Sequence, residues 1–201
     1  MSFGALLPVQ LYARSAPEVA RDLVGRVLVC GPVALRLVEV EAYERSDSAS
    51  HARHGPTARN AAMWGPPGHA YVYLCYGIHQ MLNVVTGAQG HGAAVLVRAC
   101  EPAAGLDAIR ARRGHRRGPT LLDGPGKVGA ALALDTSWSH HPLFEPGGLE
   151  LREGSPARRL AVGPRVGIGY ATPTDQAVPW RVADADSAWV GHRRSLRPSR
   201  D

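Results

Sequence analysis

Lysine is almost absent: Lys127 is the only one in the 201-residue chain, so nearly all the positive charge behind the net +6 and the pI near 9.7 is arginine. A mechanism that needs a side-chain amine, such as Schiff-base attack on a sugar, therefore has a single candidate. Cysteine is scarce as well. Cys30, Cys75 and Cys100 are odd in number, far apart and set among apolar neighbours. That pattern suggests neither a disulfide framework nor a C-x-x-C zinc site, and it fits buried structural thiols. The histidine pairs His51/His54 and His140/His141 have no carboxylate or thiolate at ligand spacing, so neither a metal nor another cofactor is expected. No apolar run approaches the roughly 20 residues that cross a bilayer, and the N-terminus lacks the basic start and apolar centre of a signal peptide. No membrane association is expected, and the expected setting is cytoplasmic. The spacing G-x-x-x-x-G-K-[ST] is missing, which gives nucleotide hydrolysis little support.

What is present begins with a short helix over residues 15–25, marked by Ser15 as N-cap, Pro17 and Glu18 in the first turn and Gly25 at the end. Strands are predicted at 26–30 and 35–43, joined by a turn at Gly31-Pro32. In the second of these, a period of two sets Val38, Val40 and Ala42 on one face and Glu39, Glu41 and Tyr43 on the other. That second face reads either as a solvated acidic surface or as a site. Residues 44–68 are polar and rich in small side chains, with His51, Arg53, His54, Arg59 and Asn60 interspersed. An irregular segment of that length inside a compact domain is functional or disordered, and Met63-Trp64-Gly65-Pro66-Pro67 favours an ordered one.

Four of the six tyrosines fall between positions 43 and 76. On a strand predicted at 70–76, Tyr71, Tyr73 and Cys75 share one face and Val72, Leu74 and Tyr76 the other. Gly77 permits a turn, which leaves Tyr76 at the tip of a hairpin whose return strand covers 81–86. Beyond the glycine-rich residues 87–92 come a buried strand at 93–98 and a helix over 101–113. The helix ends in a basic run, Arg110, Arg112, Arg113, His115, Arg116 and Arg117, which reads as a solvated face or as a phosphate contact. A second helix is predicted over 128–134, opened by Gly124-Pro125-Gly126-Lys127, with short strands at 149–152, 165–168 and 180–182. Residues 193–201 read as a frayed tail. With no repeat, linker or break in composition, the chain is expected to form a single domain over 1–201.

Several motifs occur together in order. They are Val38-Glu39-x-Glu41-Ala42-Tyr43, His51, Thr57-x-Arg59-Asn60-x-x-Met63, Pro67-Gly68-x-x-Tyr71-Val72-Tyr73-x-x-Tyr76-Gly77, Asn83, Leu96-x-Arg98-Ala99-x-Glu101-Pro102, Gly124-Pro125-x-Lys127 and Arg165-Val166-Gly167-Ile168-Gly169. On these the sequence resembles the alkyladenine (3-methyladenine) DNA glycosylases of the mammalian alkyladenine type. It departs from that pattern in a slightly longer segment between Asn83 and Arg98 and in Ile78-His79-Gln80-Met81 after the hairpin tip.

The resemblance implies an α+β (mixed α/β) single domain around a curved, largely antiparallel sheet with a protruding β-hairpin. It implies a monofunctional DNA glycosylase of base excision repair, associated with the nucleoid through DNA. Its partner is double-stranded DNA carrying a damaged purine: an alkylated purine, hypoxanthine or ethenoadenine. Carried over by position, Glu41 is the general base that activates water, and Arg98 helps hold that water and the neighbouring phosphate. Tyr43, His51 and Tyr73 enclose the flipped base, Asn83 limits which purines fit, and Tyr76 fills the gap left in the duplex. Arg59 and Lys127 are the further DNA-contact candidates.

The chemistry suits those residue types. Extracting a base from the stack costs a few kcal/mol, which stacking between aromatic rings offsets. Loss of the base leaves oxocarbenium character on the sugar, which a carboxylate stabilises while accepting a proton from water. Lys127, at a predicted helix start, suits phosphate contact better than Schiff-base attack. The rival reading, a non-catalytic basic nucleic-acid-binding module, accounts for charge and tyrosines but not for carboxylates on a strand. A glycosidase with Glu39 and Glu41 as its acid pair fails because both would lie on the same side of the bond. A clamp on one damaged base pair needs only a monomer.

Overall fold

The structure, a computed structural model, describes residues 3–199; positions 1, 2, 200 and 201 lie outside the described residues. Its helices are short: α1 (Val9–Tyr12), α2 (Ala16–Leu23), α3 (Leu106–Arg112), α4 (Pro125–Leu132) and α5 (Pro173–Ala177). Its strands are β1 (Val27–Cys30), β2 (Val33–Tyr43), β3 (Ala70–Cys75), β4 (His79–Thr86), β5 (Ala93–Ala104), β6 (Leu149–Arg152), β7 (Leu160–Gly163), β8 (Arg181–Asp184) and β9 (Arg197–Pro198). All described pairings are antiparallel, in the order β3-β4-β5-β2-β8-β7-β9, with β1 and β6 added beside the start of β2. This is the expected α+β domain around one large antiparallel sheet. None of the described helices is long and apolar enough to cross a membrane.

The sheet is built on β2. One edge of β2 pairs with β5 along nearly its whole length, while the other pairs first with β1 and then with β8. A strand covered on both edges and both faces has to be apolar or have its charges paired; Val33–Tyr43 is largely apolar, and Arg36, Glu39 and Glu41 meet opposite charges on β5 and β8. One face carries Leu35, Leu37, Val40 and Ala42, together with Val95, Val97 and Leu82 from neighbouring strands. Val19 and Leu23 of α2, Ile109 of α3 and Val128 and Leu132 of α4 cover it. Each such Val or Leu, fully buried, contributes about 1.5–3 kcal/mol. Helix α2 is placed as its sequence predicts: Glu18 accepts the Ser15 amide at 3.2 Å, and Gly25 turns the chain at φ 94°.

The simple alternation read for β2 is interrupted. Leu37 pairs with Cys100, Glu39 with Ala99 and Val40 with Val97, so Val38 is an extra residue on β2 and Arg98 an extra residue on β5. These compensating bulges move Val38 off the face of Val40 and Ala42; it packs with Ala99, Ala183 and Val190 on the opposite side. The helix expected from 101 starts later, because β5 continues to Ala104 and α3 begins at Leu106. Glu101 is held there by Arg36 across the strand pair, at 3.3 Å.

Two other expectations are corrected. Residues 165–168 form a loop, with Gly167 at φ 80°, because Arg165 and the Val166 amide turn toward β2 and the preceding loop instead of joining a strand partner. The segment 193–199 is held in place: β9 pairs with β7, and Ser195 Oγ accepts from Arg181 at 2.6 Å.

Candidate active site

The site lies on the sheet face away from α2 and α4. Strand register assembles it: Tyr71 of β3 pairs with Asn83 of β4, Asn83 with Leu96 of β5, Leu96 with Glu41 of β2, and Glu41 with Arg181 of β8. Paired residues project to the same side, so one row across five strands carries an aromatic ring, an amide, a carboxylate and a guanidinium.

Both carboxylates of β2 are fully buried, which rules out the solvated acidic face. Glu41 Oε1 accepts the Val166 amide at 2.8 Å, and Oε2 accepts the Tyr43 hydroxyl at 2.9 Å. Arg98 Nη1 stands 3.5 Å from Oε1. Burial raises the proton affinity of Glu41 above the ordinary carboxylate value, against the pull of Arg98, the Val166 amide and Tyr43. Such a group is suited to take a proton from water. Glu39 has a different role. Its Oε1 meets Arg98 Nε at 2.9 Å and Arg181 Nη1 at 3.0 Å, and its Oε2 accepts the Gly191 amide at 2.9 Å. Glu39 thus anchors the bulged Arg98 whose other end reaches Glu41, an orientation a regular strand would not give.

Tyr43, the phenol that bonds Glu41, lines a narrow pocket together with Ala49, His51, Met63, Tyr71, Tyr73, Asn83 and Tyr170. The rings of Tyr71 and Tyr73 lie 5.5 Å apart, and His51 packs edge-on against Tyr73 at 4.6 Å. His51 Nδ1 is 2.9 Å from the Tyr71 hydroxyl. His51 keeps an exposed edge, and partial desolvation, with the Arg59 charge adding to it, lowers its pKa and favours the neutral ring. Burial pushes Tyr71 up to about 12 and Tyr73 well above its ordinary range; Tyr43 is raised by burial and then by Glu41. All three rings are therefore neutral phenols. Asn83 is buried, its amide nitrogen donating to the carbonyls of Tyr71 (3.1 Å) and Met81 (3.3 Å). Behind Tyr43, the Arg165 guanidinium stands 4.7 Å from one ring face and is paired with buried Asp47.

Next to the pocket, β3 and β4 form the expected hairpin. Tyr76 and Gly77 both have positive φ (50° and 72°), and the Ile78 amide donates to the Cys75 carbonyl at 3.1 Å, as in a type I′ turn. Tyr76 is 91% exposed, in a backbone conformation unusual for a bulky residue. Arg59 reaches the same hairpin, donating to the Leu74 carbonyl at 3.2 Å with its guanidinium 6.0 Å from the Tyr73 ring. Lys127 does not line the pocket. At the start of α4 its Nζ is 2.5 Å from Asp123 Oδ1.

Of the sequence-derived residues, Glu41, Arg98, Tyr43, His51, Tyr73 and Asn83 thus come together, Tyr76 and Arg59 sit on the adjoining hairpin, and Lys127 stands apart in an ion pair. Sequence reading missed the Val166 amide and Tyr170. Both belong to the stretch Arg165-Val166-Gly167-Ile168-Gly169-Tyr170, which the sequence pattern assigns to a strand at 165–168 although its glycines are the signal for a loop.

A buried carboxylate of raised proton affinity, hydrogen-bonded to a tyrosine that lines an aromatic pocket, has the groups that hydrolysis of a flat substrate would need. Comparison with known sequences narrows this. The profile of the methylpurine-DNA glycosylase family matches residues 10–188, and the chain belongs to that family, whose members are hydrolases of N-glycosyl bonds. A relative from Nitrosococcus oceani, named "Putative 3-methyladenine DNA glycosylase", is 59% identical over 96% of both chains. An Arabidopsis thaliana relative named "DNA-3-methyladenine glycosylase" is 50% identical over 96% of this chain and 77% of its own length. One from Rhizobium meliloti, with the same name as the first, is 47% identical over 92% and 96%.

Proposed function

We propose that the protein is a monofunctional DNA-3-methyladenine glycosylase. It extrudes a damaged purine from duplex DNA and hydrolyses the N-glycosidic bond with a water activated by Glu41, leaving an abasic site. The observation that carries this is the state of Glu41: fully buried, with raised proton affinity, and hydrogen-bonded to Tyr43, which lines the tyrosine pocket. Tyr43, His51 and Tyr73 enclose the base, Asn83 closes the edge, and Arg98, fixed by Glu39, positions the water and the adjacent phosphate. Water attacks C1′ as the purine departs, and Glu41 takes the water's proton while its charge stabilises the sugar cation. Alkylated purines carry positive charge and leave readily, and electron-rich tyrosine faces favour them. Hypoxanthine and ethenoadenine are the neutral candidates.

Tyr76 is the wedge that fills the vacated stack. Its exposed ring at the hairpin tip suits insertion between bases. Arg59, exposed and tied to the same hairpin, lies where backbone phosphates would pass. Lys127 has two further ammonium hydrogens for a phosphate beside its bond to Asp123, and its ion pair argues against a role as an amine nucleophile. The narrower kinship with the mammalian type rests on the ordered motifs of the sequence. One enzyme molecule acting as a monomer on one lesion is sufficient, in the cytoplasm and on the nucleoid.

The test is to incubate the protein with duplexes carrying one hypoxanthine, ethenoadenine or alkylated purine, and to assay free base and alkali-labile abasic sites. Base release without direct nicking is expected. No release from any of them, or undiminished release by Glu41→Gln, overturns the reading.

A further inference from the structure

Tyr170 has no place in the chemistry described above, yet it lines the same pocket and the residue is 64% exposed. Water rarely keeps a large ring in one position, and this one is fixed: its hydroxyl donates to the Ala49 carbonyl at 3.0 Å, and the Arg53 guanidinium lies 6.0 Å from the ring centre. Arg53 is itself exposed and oriented, donating from Nε to His54 Nε2 at 2.8 Å and from Nη1 to the Ser48 carbonyl. Two of its five guanidinium hydrogens are thereby placed on protein atoms, and the rest of the head can meet a phosphate. Burial holds the Tyr170 phenol above its ordinary range. Arg53 opposes this, Asp47 adds to it, Arg165 opposes it, and the hydroxyl of Tyr76 adds to it.

We infer that Tyr170 and Arg53 form a lip of the site, on the pocket edge where the loop of Val166 meets the loop of Ala49, which grips the nucleotide beside the extruded one. The Tyr170 ring stacks on its base or sugar, and Arg53 holds its phosphate. This rests on the reading that damaged duplex DNA is the substrate. It adds a binding element on the loop that also delivers the Val166 amide to Glu41, so closing the lip on DNA and fixing the base are tied to one segment.

The probe is a duplex containing a tetrahydrofuran abasic-site analogue, which reports binding without chemistry. Tyr170→Ala is expected to weaken binding about tenfold, in the range of a lost base–aromatic stack, while Tyr170→Phe stays within about twofold of wild type. Arg53→Ala is expected to lower the slope of log affinity against log salt by about one phosphate contact. In single turnovers on a hypoxanthine duplex, the Tyr170→Ala loss should fall on the half-saturating enzyme concentration. Unchanged binding by Tyr170→Ala overturns the inference. So does a loss confined to the maximal rate with a lowered thermal midpoint, since that is a loop-structure effect. Glu41→Gln run in parallel separates the two readings: if it excises as fast as wild type, the catalytic proposal fails, while the binding comparison still stands or falls by itself.

Discussion

Glu39 and Glu41 are the same residue type, two apart on one strand and equally buried, yet their surroundings differ. Glu39 faces two guanidinium groups and a backbone amide at 2.9–3.0 Å, so its charge is neutralised on the spot. Glu41 faces one amide, one phenol and an arginine 3.5 Å away that is already shared with Glu39. Burial without a dedicated counter-charge makes a carboxylate reactive, and burial with two makes it a structural anchor. The difference depends on which loops reach each position, since the strand geometry is shared.

The comparison breaks most directly at Glu41. Glu41→Gln keeps the shape and removes the base, so single-turnover base release should fall by about 10²- to 10⁴-fold with the fold retained by circular dichroism. The pH dependence gives the same answer by another route. Because burial raises the Glu41 pKa above 4.5, the acid limb of base release should lie above that value and disappear in Glu41→Gln. Stability has the opposite sign. The folded chain holds this proton more tightly than the unfolded chain, so Glu41's contribution to stability is greatest below its unfolded value. It declines as pH rises through the raised folded value, which urea titrations at several pH values would show.

At Glu39 the expected loss is in stability. Glu39→Gln leaves Arg98 and Arg181 buried without their shared counter-charge and should cost about 3 kcal/mol in urea unfolding. A variant as stable as wild type would show that the two carboxylates are not divided as described. The smallest effect belongs to the hairpin tip. Tyr76→Gly relieves a positive φ and should raise stability by up to about 1 kcal/mol, while base release from duplex DNA declines for want of a wedge. Equal activity would mean that the exposed ring has no part in extrusion.

Much of this was readable in advance. The helix at 16–23 was marked by its cap residues, and the hairpin by Gly77 after a tyrosine-rich alternation; β6 was found at its observed bounds. Glu41 and Tyr43 were placed on one face of a strand, and they share that face. What failed had long-range causes. The bulges at Val38 and Arg98 exist only as a mismatch between two strands, so neither strand shows its own. The extension of β5 through Pro102 to Ala104 depends on β2 offering a partner for that length. The Val166 amide contributes by its backbone position, which no side-chain pattern reveals.

The sequence by itself determined the inventory: one lysine, four clustered tyrosines, two carboxylates on a largely apolar strand, and the order of motifs that marks the family. These are local or compositional properties, and periodicity and turn chemistry translate them directly into elements. Only the tertiary structure decided that Glu39 is paired with two arginines while Glu41 keeps a raised proton affinity, that Lys127 is held by Asp123, and that Tyr170 lines the pocket. Each of those turns on the distance between groups far apart in the chain, and such distances are fixed by strand register and loop closure.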